Sequence, residues 1–186
     1  FGRGIPVDYN EHEKKYNWEL VFCELYAGGK YKNNTGGDYE YSLGLNGLGA
    51  CATQYSSEYM DVEVLRDGYK YELHFEAGEN IDGMKKTKFR HRHTGTTIRW
   101  KPDIKVFTDI DIPLDFYKET LRRQAVVNSG VKFVLKNEIS KEEFEVFEFL
   151  YENGIVDYIK ELTEEKEFTG VHYIETERSG RDREDL

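Results

Sequence analysis

Three glycines, Gly44, Gly47 and Gly49, stand in the stretch SLGLNGLGACATQ, immediately before residues that read as the start of a helix. Glycine permits backbone conformations that other residues resist and lets the main chain approach a ligand closely. A helix N-terminus carries unpaired N–H groups and a partial positive charge. Together they describe a cradle for an anion, usually phosphate. A loop that merely ends in a helix would use the same residues.

Two further glycine-bearing pieces ask for the same explanation: GRGIPV, from Gly2 to Val7, and TGT, from Thr94 to Thr96. In GRGIPV a tight turn can pass under a flat ring, with Ile5 and Pro6 as apolar surface, while Arg3 reaches a carboxylate or phosphate through its planar fork. Lys30 would sit at the mouth of the long loop as a mobile point charge. N–H groups at Gly47 and Gly49 would face phosphate oxygens, and Thr96 could donate or accept a hydrogen bond near a base edge. Each piece alone is also an ordinary turn, cap or strand start. Their order along the chain points to a nucleotide site.

Other chemistries fit less well. His91 and His93 flank an arginine in a basic, polar loop, which suits solvent better than a metal. His74 alternates onto the polar side of its strand and should be exposed. Cys23 and Cys51 have neither C-x-x-C spacing nor a histidine cluster in register, so they read as two buried, reduced thiols. The formal net charge of −10, spread along all 186 residues, argues against this segment alone gripping a nucleic-acid backbone. There is no apolar run of membrane-spanning length and no signal-peptide pattern, so a cytoplasmic location is expected. The opening FGRGIPVD looks like an interior loop and the closing ERSGRDREDL has no finishing element, which suggests a piece cut at both ends.

The elements that must position these residues follow from spacing. NWELVFCELYAGG predicts a helix capped by Asn17 and ended by Gly28. A long polar loop then runs from Lys30 to Gly49, and ACATQYSSEY continues as a helix. YMDVEVLRDGYKYELHFEAG reads as a hairpin about RDG. Its Tyr69, Tyr71, Leu73 and Phe75 share one face, with Lys70, Glu72, His74 and Glu76 on the other. TGTTIRWKPD is a strand with Ile98 and Trp100 on one side. A helix opens near Pro113 and closes around Asn128 to Gly130. VKFVLKNE and EEFEVFEF suggest a second hairpin, YENGIVDYIKELT a helix, and GVHYIETER a final strand. The class is α+β: a mixed, mostly antiparallel sheet with helices on one face.

The order of the glycine pieces resembles the ATPase region of the B subunits of bacterial DNA gyrase and topoisomerase IV, within the GHKL superfamily and its Bergerat nucleotide-binding fold. GRGIPV looks like the end of the family's D-x-G-R-G-I-P-V, LYAGGKY resembles L-H-A-G-G-K-F, and GLNGLGA resembles G-L-H-G-V-G. TGTTIRWKPD matches T-G-T-x-V-x-F-x-P-D, and NSGVKFVL follows in its place. The resemblance implies a GHKL ATPase domain over residues 1–163 and the beginning of a transducer domain over 164–186. It implies ATP and Mg2+ as cofactors. ATP binding would dimerise two such regions to close a gate around DNA, alongside a gyrase A-type subunit. The alternative is a non-catalytic nucleotide-binding or dimerisation module of the same fold.

By that resemblance Gly2, Gly4, Ile5 and Pro6 would line the adenine side of the pocket, and Arg3 would close over it. Lys30 and Tyr39 would belong to the ATP lid. Leu45, Asn46, Gly47, Leu48 and Gly49 would wrap the triphosphate. Thr96 would support adenine recognition, and Arg66 would pack at the pocket rim. Three residues depart from the family pattern: Glu40 replaces a basic lid residue, Leu43 a glycine and Asn46 a histidine. The family's general base, magnesium ligand, adenine-reading aspartate and phosphate-sensing lysine would all lie outside this chain. The chain alone is therefore expected to be inactive in hydrolysis.

Overall fold

The computed structural model describes residues 2–27, 47–90, 92–164, 166, 168–174 and 176. The chain divides into two compact units, Phe1–Ile110 and Asp111–Leu186.

The first unit is built on a four-stranded sheet in the order β5-β4-β3-β6, with every neighbouring pair antiparallel. Strands β3 (Ser57–Arg66) and β4 (Tyr69–Glu76) form the predicted hairpin. Asp67 and Gly68 close it at φ 52° and 76°. Two successive left-handed residues match the right-handed twist of the strands they join. Strand β5 (Glu79–Lys88) had no clear signal in the sequence. It is polar, lies at the sheet edge, and its pairing slips between Glu72 and His74, beside the left-handed Asp82 and Gly83. A bulge of that kind destroys the alternation by which strands are read. Strand β6 (Gly95–Pro102) forms the other edge.

One sheet face is the core. Met60, Val62 and Val64 of β3 stand directly opposite Phe75, Leu73 and Tyr71 of β4, and all six are buried with Val7, Trp18 and Phe22. Two small strands, β1 (Tyr9–Asn10) and β2 (Lys15–Tyr16), lead into helix α1 (Asn17–Phe22). From α1, the Phe22 and Trp18 rings lie 5.8 and 6.2 Å from that of Phe75. The helix is shorter than its pattern predicts, and Tyr16 rather than Asn17 is its cap. Tyr16 N–H donates to the Glu19 carboxylate at 2.7 Å, while Asn17 accepts instead from Asn10. At the other end the backbone turns left-handed at Tyr26, φ 61°, which a helix cannot pass through. Helix α2 (Gly49–Tyr55) likewise stops before the expected Tyr59, because Ser57 already belongs to β3.

The second unit holds α3 (Leu114–Val127), the hairpin of β7 (Phe133–Ser140) and β8 (Glu143–Phe149), and α4 (Ile155–Thr163). Pro113 stands at the cap of α3, where its missing N–H costs nothing. Ala125, Phe149 and Tyr151 are the buried centre, with Leu121, Leu135, Phe147 and Tyr158 packed around them. Of the strand expected over GVHYIETER, Gly170–Ile174 have no regular structure, and Glu175, Glu177 and Arg178 lie outside the described residues. Among the described residues no neighbouring strand takes up its N–H and C=O groups, and an unpaired strand is not stable alone.

Candidate nucleotide-binding site

The GRGIPV turn docks across the ends of β3 and β6. Gly4 adopts φ +76°, and a Cβ built on it would lie 3.0 Å from the Leu65 carbonyl oxygen and 3.2 Å from that of Gly95. It would also meet a Val64 methyl at 3.1 Å. Only a residue without a side chain fits both that conformation and that gap. Val7, next along, is buried in the sheet core and anchors the turn.

Two side chains reach the turn from the strands beneath it. The Ile5 N–H donates to Thr96 Oγ1 at 3.0 Å. Arg66 Nη1 donates to the Gly4 carbonyl oxygen at 3.2 Å. Thr96, the second residue of β6, stands opposite Val64 in the register, and Arg66 is the last residue of β3. The structure therefore joins four expected site residues, Gly4, Ile5, Arg66 and Thr96, in one contact set. Gly2 and Arg3 are exposed beside it and Pro6 is half-buried.

Gly47 adopts φ 59°, Leu48 is the cap of α2 and Gly49 its first residue, with open space around the position of an added Cβ. Lys30, Tyr39, Leu45 and Asn46 lie outside the described residues, as do Gly44, the departures Glu40 and Leu43, and His91. Spacing gave no sign of Asp67. Its carboxylate accepts Arg66 Nε at 3.1 Å and so directs the guanidinium. A residue inside a tight turn reads as turn chemistry alone, and only the contact shows the second role.

The remaining titratable groups lie elsewhere. His74 is on the outward sheet face, its Nδ1 2.6 Å from Asp61 and its Nε2 3.2 Å from Glu76. Those hydrogen bonds, Asp61 first, raise its pKa above the ordinary 6.5. A concavity on that face is lined by Asp61, Glu63, His74, Lys85 and Arg99 among others and takes no residue of the glycine turn. Cys51 is buried and Cys23 half-buried, and both are free. Burial first, then the neighbouring Cys51, pushes the Cys23 thiol up to about 11. Among the described residues no group of three His, Cys, Asp or Glu side chains could hold a metal ion. No helix among them is long and apolar enough to cross a membrane.

No protein-family model matches the chain. It is 36% identical over 184 residues to the B subunit of the type 2 topoisomerase of Aquifex aeolicus, a match that covers 96% of this chain and 22% of that protein. It is 34% identical over 165 residues to the B subunit of DNA gyrase from Thermotoga maritima, covering 89% of this chain and 25% of that one. Among solved structures it resembles the 43K ATPase domain of Thermus thermophilus gyrase B, in complex with an aminocoumarin. The TM-score is 0.68 and the identity 26%, over 88% of this chain and 39% of that one. Over 89 to 96% of its length the chain is similar to the B subunits of DNA gyrase and topoisomerase IV. Its α+β fold is that of their GHKL ATPase domains. It spans about a quarter of the length of the curated relatives it matches.

Proposed function

We propose that this chain is the nucleotide-binding part of the ATPase region of a type II DNA topoisomerase. The observation that carries the reading is the GRGIPV turn, gripped at Gly4 and Ile5 by Arg66 and Thr96 at the ends of two core strands. The relatives' names and the solved ATPase domain supply the class of ligand. Gly2, Gly4, Ile5 and Pro6 take the adenine side, with Arg3 closing over it. Gly47, Leu48 and Gly49 offer main-chain N–H groups to the phosphates, completed by Lys30, Tyr39, Leu45 and Asn46. The fit to a flat ring rests on Gly4, where any side chain would lift the turn off the sheet.

In this reading the chain binds and orients ATP, and its fixed donors face the charge that develops on the transferred phosphoryl group. No Asp or Glu of this chain is assigned the general base, which must lie within hydrogen-bond reach of the attacking water. Mg2+ likewise is assigned no residue here, and no step is derived through it. Residues 1–163 form the nucleotide-binding domain and 164–186 begin a transducer domain. In the intact protein ATP binding dimerises two copies and closes a gate around DNA, with a gyrase A-type subunit, in the cytoplasm.

The test is amide exchange on the full-length protein with the non-hydrolysable analogue adenylyl imidodiphosphate. The expected result is slower exchange at Ile5 and at Gly47 to Gly49, reversed by an aminocoumarin, the ligand class of the Thermus thermophilus domain. No change at either segment at millimolar analogue would sink the reading. Protection without turnover in the full-length protein would favour the non-catalytic module.

A further inference from the structure

Gly4 and Ile5 share one peptide group, and both of its polar ends are taken by side chains. Its oxygen accepts Arg66 Nη1 and its N–H donates to Thr96 Oγ1. The two side chains come from neighbouring strands, at the end of the β3–β6 ladder where Leu65 pairs with Gly95. A peptide that follows a glycine at φ +76° is free to rotate about its flanking dihedrals, which exchanges the directions of its C=O and N–H. That rotation would break both bonds at once. Arg66 is itself held, since Nε donates to Asp67 and the rigid, planar fork then fixes the direction of Nη1.

We propose that Arg66 and Thr96 are positioning residues that lock the Gly4–Ile5 peptide in one orientation, presenting the GRGIPV turn in a single, preset shape. The consequence for ligand binding rests on the nucleotide reading, whereas the lock itself does not. Arg66 gives the oxygen a charged donor, stronger than a neutral one. Thr96 accepts from Ile5 and keeps its own O–H proton to donate. Because one peptide carries both bonds, each polarises the other, and losing one undermines the second. A residue that only packed at the rim would leave Ile5 unaffected, since Arg66 does not touch the Ile5 N–H.

The experiment reads Ile5 amide exchange in the 186-residue chain without nucleotide. Arg66→Gln and Thr96→Val are each expected to speed it about tenfold, the worth of one hydrogen bond. The double variant should exceed either single change only slightly, because the two residues act on one group. Thr96→Ser should keep the wild-type rate, and amides of Val62 and Leu73 in the core strands should stay protected. If Arg66→Gln loosens the core strands, Arg66→Lys takes its place, with a smaller expected effect in the same direction. An Ile5 rate unchanged by the Arg66 substitution, or effects that multiply in the double variant, would overturn the lock. If Ile5 responds to Arg66→Gln but the full-length protein takes no nucleotide, the lock stands and the nucleotide reading falls.

Discussion

At the scale of single residues, Gly4 is the position with least room. Gly4→Ala would place a methyl 3.0 Å from a carbonyl oxygen at a φ that alanine resists. The local cost is about 1–3 kcal/mol, and moving the turn is the easiest relief. Nucleotide protection at Ile5 should be lost while Val62 and Val64 amides stay protected, measured by exchange with and without analogue. His74 makes a different prediction. Asp61 and then Glu76 raise its folded-state pKa above 6.5, so the fold favours the charged ring. That contribution is fully present below the unfolded value and fades as pH rises through the folded one. The thermal midpoint should therefore fall as pH rises from below 6.5 through the raised folded-state value, and His74→Gln should flatten that slope. The residue types of the site were legible in the sequence, because glycines, an arginine and a threonine recur in a fixed order. Their partners were not. Ile5 meets Thr96 across 91 residues and Arg66 meets Gly4 across 62, and no local pattern encodes a contact at such separation.

Among the elements, strands with one buried face were plain to read and the polar ones were not. The β3–β4 hairpin follows from alternation of Tyr71, Leu73 and Phe75 with charged neighbours. Strand β5 hid behind its bulge, and α1 looked longer than it is because nothing in the sequence marks Tyr26 as left-handed. In the second unit one contact ties elements together. Tyr151, just after β8, donates its hydroxyl proton to Glu161 of α4 at 2.6 Å, and Glu161 lies 3.6 Å from Arg122 of α3. Burial first, then Glu161, pushes the Tyr151 hydroxyl up to about 12. Tyr151→Phe keeps the ring and leaves Glu161 without that donor, at an expected cost of about 1 kcal/mol. Urea unfolding of the variant beside the parent measures it, and an unchanged midpoint would remove the contact from the account of stability.

For the whole molecule, charge is the governing quantity. With 36 acidic against 26 basic residues, the chain should repel rather than attract a phosphate backbone. The 186-residue chain is expected to pass unretained through a duplex-DNA column at low ionic strength. Retention there would assign it a DNA-contacting role that its composition opposes.

The two-residue turn at Asp67 and Gly68 has a reach beyond its own hairpin. Because side chains alternate along a strand, slipping the β3–β4 pairing by one residue would carry Arg66 to the opposite face of the sheet. The Asp67 carboxylate that aims it sits inside the same turn. Most surface hairpins accept an inserted residue at the tip with little harm. This one should not: its loop length acts as a gauge for a contact 62 residues away, and an inserted residue should release the glycine turn while the buried face of the sheet stays intact.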